Sequence, residues 1–235
     1  MQLHGLYKLT LLDFPEHLAC TAFTGHCNLR CPFCHNAELV LRPELQPCIS
    51  EDTFFSFLQT RQGILEGVCI SGGEPTLQPD LLPFLRKIKQ LGFLVKLDTN
   101  GTYPAVLEAL FAENLLDYVA MDIKNTKEKY AFTTGMATFD ITPIEKSIAL
   151  IMQYAPDYEF RTTVVQGLHT KEDLLAIGTW LMGAKRYTLQ TFQNSGNLLA
   201  ETGLSNFSAT EMKQFQELLL PFFERRTSNP PSSNA

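Results

Sequence analysis

Three residues carry the clearest chemistry in this chain: Cys27, Cys31 and Cys34, within His26-Cys-Asn-Leu-Arg-Cys-Pro-Phe-Cys-His35. Their spacing, C-x3-C-x2-C, lets three thiolates turn toward one metal centre, and soft sulfur donors suit iron–sulfur clusters or zinc. The number of ligands is informative. A [4Fe–4S] cube ordinarily takes four cysteines, so three would leave one iron open to a further ligand or a reaction. The same thiolates with His26 or His35 could instead close a Cys3His zinc tetrahedron. Of the other cysteines, Cys20 and Cys69 lie inside apolar stretches and read as small buried hydrophobes. Cys48 follows Pro47 in a loop and has no evident role. Closely spaced cysteines read better as metal ligands than as a disulfide framework.

Four polar motifs follow: Ser71-Gly72-Gly73-Glu74-Pro75, Asp98-Thr99-Asn100-Gly101, Asp122-Ile123-Lys124 and Gln190-Thr191. Each alone has an ordinary explanation. Gly72-Gly73 and Asn100-Gly101 could be plain turns, and Asp122 with Lys124 an exposed ion pair of little worth. Their shared position is what matters, because each ends an apolar run of strand length. The strands predicted are Ala19–Thr24, Gly67–Ser71, Phe93–Asp98, Tyr118–Asp122, Glu159–Val165 and Tyr187–Gln190. Helices are predicted over Ser50–Thr60, Asp80–Leu91, Tyr103–Asn114, Pro143–Tyr154, Lys171–Met182 and Ala209–Arg225. Capping boxes are expected at Thr142–Glu145 and Ser208–Glu211, with Pro143 at the first helical position.

Strands apolar enough to be covered on both faces, alternating with helices, predict a parallel α/β fold. Six units suit an incomplete (β/α)6 TIM-like barrel. The C-terminal strand ends of such a barrel share one face, which holds the active site. The cysteine loop and the polar motifs should therefore converge there. One domain is expected over residues 1–226, with the Ser/Pro/Asn-rich stretch Thr227–Ala235 as a disordered tail.

The chain has 235 residues, 45% of them apolar, and a net charge of −6. It shows no basic run, so nucleic acid is not an expected partner. No apolar stretch reaches the ~20 residues of a membrane helix, and the first twelve residues lack a signal-peptide layout. A cytoplasmic protein is expected.

C-x3-C-x2-C with Phe33 before the third cysteine, followed by Gly72-Gly73-Glu74-Pro75, resembles the radical SAM superfamily. The run Gly5-Leu-Tyr-Lys-Leu-Thr-Leu-Leu-Asp-Phe-Pro15, with Cys27-Asn28 through Cys34-His35-Asn36, is similar to its glycyl-radical-enzyme activases, most of all the longer form of anaerobic ribonucleoside-triphosphate reductase activating protein. The resemblance covers about residues 5 to 192. The chain departs from the usual pattern in having His26 and Glu16 where glycine is common.

The resemblance implies one [4Fe–4S] cluster on Cys27, Cys31 and Cys34, with S-adenosylmethionine (SAM) chelating the fourth iron. Reductive cleavage of SAM would give a 5′-deoxyadenosyl radical. Gly72, Gly73 and Glu74 would meet the SAM amino group, and Phe33 and His35 would lie near the adenine. Asp98, Thr99, Asn100, Asp122 and Lys124 would surround the methionyl part, with a monovalent cation between the aspartates and the carboxylate. Gln190 stands near a histidine of pyruvate formate-lyase activases, and Arg161 could contact SAM or form a barrel-interior ion pair. The implied partners are a large glycyl radical enzyme, anaerobic ribonucleotide reductase, and a flavodoxin- or ferredoxin-type electron donor. The loops Asn125–Ile141 and Thr191–Phe207 would receive the partner. Alternatives are activation of another glycyl radical enzyme such as pyruvate formate-lyase, or small-molecule radical chemistry such as that of a deazaguanine synthase.

Overall fold

The computed structural model describes residues 1–193, 198–199 and 203–223. Seven strands form one sheet: β1 (Gly5–Thr10), β2 (Ala19–Thr24), β3 (Gly67–Gly72), β4 (Leu94–Thr99), β5 (Tyr118–Asp122), β6 (Asp157–Val164) and β7 (Tyr187–Thr191). The spatial order equals the chain order. Strands β2 to β7 are parallel, and β1 runs antiparallel along the edge at β2. Strands β1 and β7 end the sheet without pairing, so the barrel is open, as expected.

Among the described residues, eight helices punctuate the strands: α1 (Ala37–Leu41), α2 (Glu51–Gln59), α3 (Leu81–Gln90), α4 (Pro104–Ala112), α5 (Tyr130–Thr133), α6 (Thr142–Tyr154), α7 (Lys171–Trp180) and α8 (Ala209–Phe223). The main core lies between sheet and helices, where Val95, Leu97, Val119, Met121 and Phe160 pack on residues such as Leu85, Ile88, Leu107 and Ile148. Phe14, Ala19, Tyr118 and Ala120 form a separate buried cluster. Strand β6 alternates half-buried Glu159, Arg161 and Thr163 with buried Tyr158, Phe160, Thr162 and Val164, which sends the polar set to one side of the sheet.

The structure corrects the sequence reading at several points, among them the short helices α1 and α5, which were not expected. Strand β1 was not expected; Tyr7, Lys8 and Leu9 are consecutively exposed, so its apolar–polar alternation buries neither face. The capping box at Thr142 does not form. The N-cap is Ile141, which puts Pro143 second rather than first. Asp140 accepts from the Thr142 N–H at 3.0 Å, and the Glu145 carboxylate is taken by Lys127 at 2.5 Å. An unexpected box forms instead between Thr170 and Asp173 at α7. The box at Ser208 is present, with Ser208 N–H donating to Glu211 at 2.8 Å and Glu211 N–H to Ser208 Oγ at 3.2 Å. The proposed tail, and the expected end of α8 at Arg225, lie outside the described residues.

Candidate active site

The cysteine loop leaves β2 and is gripped mainly by backbone contacts. His26 donates its N–H to the Leu39 carbonyl at 2.9 Å and accepts from the Glu74 N–H at 2.8 Å. A Cβ on Gly73 would lie 1.7 Å from the His26 carbonyl oxygen, and one on Gly72, at φ +116°, 2.3 Å from the Thr24 oxygen. Both glycines are thus required for the turn after β3 to lie against the cysteine loop. Asn36, a residue the sequence reading did not single out, donates to the Gly72 carbonyl at 2.8 Å.

Cys31 is buried, and Cys27 and Cys34 are half-buried. Leu29, Phe33, Val165, Leu168 and Phe192 form a small apolar core around them. Burial pushes the Cys31 thiol up to about 12 and raises Cys27 and Cys34 as well. Such thiols become thiolates when a metal displaces their protons. The all-sulfur donor set, facing a cavity of about 470 Å³, fits a cluster held by three thiolates.

Cys27, Cys31, Phe33, Cys34 and His35 line one cavity with Gly72, Gly73, Glu74, Asp98, Thr99, Asn100, Asp122, Lys124, Arg161 and Gln190, whereas His26, Gly101 and Thr191 lie outside its lining. Part of its lining is a ladder of charges. Lys96 pairs with Asp98, Arg161 reaches Asp98 at 3.5 Å and Asp122 at 3.0 Å, and Lys124 meets Asp122 at 3.1 Å. Burial would raise the Asp122 carboxyl, but Lys124 and then Arg161 outweigh it and hold it down at about 2. Lys124 is raised despite burial, chiefly by Asp122, and its ammonium lies 6.0 Å from the centre of the Phe33 ring. Lys124 and Arg161 line the cavity together with Asp98 and Asp122, while Lys96 is buried outside the lining; the two lining cations offer charge-assisted donors to a carboxylate ligand.

Glu74 is fully buried and its carboxylate points into the protein. It accepts from Thr76 N–H at 3.1 Å, Thr99 hydroxyl at 2.8 Å and Asn100 N–H at 2.6 Å, so it ties the turn after β3 to the turn after β4. His35 is exposed, its ring 5.6 Å from that of Phe192. Gln190 accepts from Thr163 at 3.3 Å.

Two further supporting residues escaped the sequence reading. Lys96 had a signal, as a lone cation in an apolar strand two residues before Asp98 and therefore on its side. His169 had none. Its Nε2 donates to the Lys124 carbonyl at 2.8 Å, its Nδ1 accepts from Val165 N–H at 3.1 Å, and burial keeps it neutral by lowering its pKa.

A three-cysteine loop and charged strand ends on the open face of a partial barrel define a metal-dependent SAM-binding class of enzyme. The chain belongs to the Radical SAM superfamily, whose family model matches residues 21–177. It is 34% identical over 197 residues, 80% of this chain and 79% of the relative, to a Methanocaldococcus jannaschii protein provisionally described as a glycyl-radical enzyme activating enzyme. It is 29% identical over 154 residues, 64% of this chain and 48% of the relative, to a Thermococcus kodakarensis protein described as a probable GTP 3′,8-cyclase. In fold it matches Streptococcus suis SuiB bound to its precursor peptide SuiA, with a TM-score of 0.68 at 16% identity over 93% of this chain. The chain spans 48% of SuiB. Family membership implies a [4Fe–4S] cluster and SAM. No helix among the described residues is long and apolar enough to cross a membrane.

Proposed function

We propose that this chain is an activase that generates a glycyl radical on a large partner enzyme, anaerobic ribonucleoside-triphosphate reductase, with electrons from a flavodoxin- or ferredoxin-type donor. The observation that carries the activase reading is the 34% identity to the M. jannaschii protein, which spans four-fifths of both chains. The reductase as partner rests on the motif from Gly5 to Pro15 together with Cys27–Asn36.

Cys27, Cys31 and Cys34 would hold the cluster. When bound and reduced, it supplies the electron that breaks the S–C5′ bond of SAM, giving the radical that abstracts the glycine hydrogen. The protein's own part is placement and exclusion of water. Lys124 and Arg161 would draw the SAM carboxylate to the charged ladder. The Arg161 guanidinium bridges Asp98 and Asp122, and a monovalent cation would sit between these aspartates and the SAM carboxylate. The turn at Gly72 and Gly73 would receive the amino group, with Glu74 holding that turn from behind. His35 and Phe33 would lie toward the adenine. The apolar shell of Leu29, Phe33, Val165, Leu168 and Phe192 keeps water from the sulfurs.

The partner's glycine loop would meet the segment after β5. Asn125 donates to Thr133 at 2.8 Å and to the Leu168 carbonyl at 3.0 Å. Arg30 N–H donates to the Thr134 carbonyl at 2.9 Å. A Cβ on Gly135 would sit 2.2 Å from the Arg30 carbonyl oxygen. That anchoring leaves Phe132 and Met136 outward, 66% and 37% exposed. Residues 194–197 and 200–202 of the second proposed partner loop lie outside the described residues.

The test is anaerobic reconstitution, then SAM, reductant and the candidate reductase. The proposal requires 5′-deoxyadenosine and an EPR doublet on the reductase. Phe132→Ala should keep SAM cleavage and lose partner activation. Formation of 5′-deoxyadenosine without a protein radical, stimulated by a nucleotide, would favour the second reading, small-molecule chemistry, which the T. kodakarensis relative motivates.

A further inference from the structure

The Cys27 sulfur receives two hydrogen bonds from the protein. The Leu29 N–H donates at 3.4 Å, and Asn100 Nδ2 donates at 3.7 Å from the turn after β4. The first belongs to the cysteine loop itself. The second comes from a distant element, and its direction is fixed by a closed ring of bonds. Asn100 Oδ1 accepts from the Thr102 hydroxyl at 2.6 Å and the Thr102 N–H at 3.0 Å. Thr102 Oγ1 accepts from Asn28 Nδ2 at 2.9 Å, and Asn28 Oδ1 accepts from Asn100 Nδ2 at 3.0 Å. With two donors on Oδ1, the amide has one orientation that satisfies every partner, and it turns the NH2 group toward Cys27.

We propose that Asn100 is a positioning residue that sets the reduction potential of the cluster through the Cys27 sulfur, in addition to any contact with SAM. Hydrogen bonds to ligand sulfurs stabilise the more negatively charged state of a cluster and raise its potential. Adding one electron from a low-potential donor puts one more negative charge on cluster and thiolates together. An N–H aimed at Cys27 is worth more after that electron arrives than before. The backbone N–H of Asn100 is held by Glu74 at 2.6 Å, so the fully buried carboxylate fixes the main chain from which the amide reaches. Asn100 thereby links the turn after β3, the turn after β4 and the cluster loop. The inference rests on Cys27 being a cluster ligand and is independent of the partner's identity.

The test is a redox titration of anaerobically reconstituted protein, without SAM, followed by EPR of the reduced cluster. Asn100→Asp keeps the two bonds to Oδ1 and replaces the NH2 group by an acceptor; Asn100→Leu removes the donor without adding charge. Both should be harder to reduce by on the order of tenfold, equivalent to about 59 mV for one electron, with iron content unchanged. If Asn100→Leu assembles its cluster and titrates as wild type does, the proposal is overturned. If Asn100→Leu fails to assemble, Asn100→Asp decides, and a wild-type potential there overturns it equally. Variants that change only SAM affinity also overturn it. Failure of wild-type protein to bind iron at Cys27 would instead refute the cluster assignment, and failure to activate a reductase would leave the inference standing.

Discussion

Arg161 is the hinge of the charged ladder, and replacing it with methionine separates electrostatics from packing. The guanidinium donates to Asp122 at 3.0 Å and lies 3.5 Å from Asp98. Asp122 is held from an ordinary 3.8 down to about 2, which corresponds to folding stability on the order of 2 kcal/mol at neutral pH. Lys124 is the larger opposing cation at Asp122 and Arg161 the next, whereas at Asp98 Arg161 exerts the larger coulombic pull, so losing Arg161 weakens the hold on both carboxylates. Breaking a fully buried pair costs about 3–5 kcal/mol. Here each aspartate keeps a lysine, so the expected loss is about 1–3 kcal/mol, or roughly 3–10 °C in Tm for a chain of this size. The pH dependence has a definite sign. A depressed carboxylate stabilises the fold above its unfolded pKa, and that contribution is lost as pH falls toward its folded value. The difference between Arg161→Met and wild type should therefore be full at pH 7 and shrink between pH 4 and about 2 as Asp122 protonates in both. Urea unfolding of metal-free protein across that range measures it, with Arg161→Lys as the variant that keeps charge but loses the fork. Equal stability at pH 7, or a deficit that does not change with pH, would refute the electrostatic account.

Three further outcomes follow from the backbone and the buried histidine. Glu16 and His26 hold positive φ of 66° and 62°, a conformation costing most residues about 1–2 kcal/mol. Glycine at either site should leave Tm unchanged or raise it by a few degrees, since its unfolded-state entropy offsets only part of that gain; a clear loss in a thermal melt would contradict this. Gly73→Ala must push the His26 carbonyl away from a Cβ at 1.7 Å, so iron bound per chain after reconstitution should fall by more than half while the far side of the barrel stays folded by circular dichroism. His169 is buried neutral with its pKa lowered, so its contribution is complete above its ordinary pKa of 6.5 and fades as pH falls below it. The urea midpoint should drop between pH 7.5 and pH 5.5, and His169→Gln should flatten that drop.

Much of the architecture was legible because the parallel strands are covered on both faces and so appear as short apolar runs closed by polar residues. Ala19–Thr24 and Tyr118–Asp122 have the limits expected, and the other four parallel strands differ by a residue or two. Strand β1 was missed although Tyr7-Lys8-Leu9-Thr10 alternates apolar and polar; it is an edge strand whose Tyr7 and Leu9 stay exposed, so the alternation marks no buried face. The convergence of the polar motifs was legible through topology alone, since parallel strands deliver their C-terminal ends to one face. Side-chain direction was not. Glu74 follows a strand end, so its aim depends on the turn conformation that Gly72 and Gly73 permit, and that turn sends it inward to Thr76, Thr99 and Asn100. The capping box at Thr142 failed for a similar reason: its Glu145 had a tertiary partner in Lys127 that no local pattern reveals.

The glycine departures say what holds the cluster loop. His26 and Glu16 both hold a left-handed backbone, the conformation that glycine adopts most readily, so neither side chain has forced the chain out of that path. The cysteine loop explains how. Its contacts to Leu39, Glu74 and Thr134 run through main-chain groups at His26 and Arg30, and the approaching elements present Gly73 and Gly135, whose missing side chains make room for those carbonyls. A loop clamped by its backbone tolerates side-chain change at its exposed positions without losing the placement of Cys27, Cys31 and Cys34. Chemistry shared by the superfamily can therefore persist while substrates diverge. The residues that select a substrate belong instead on surfaces anchored to that clamp but facing outward, and Phe132 and Met136, carried by the segment that Gly135 locks to Arg30, meet that condition.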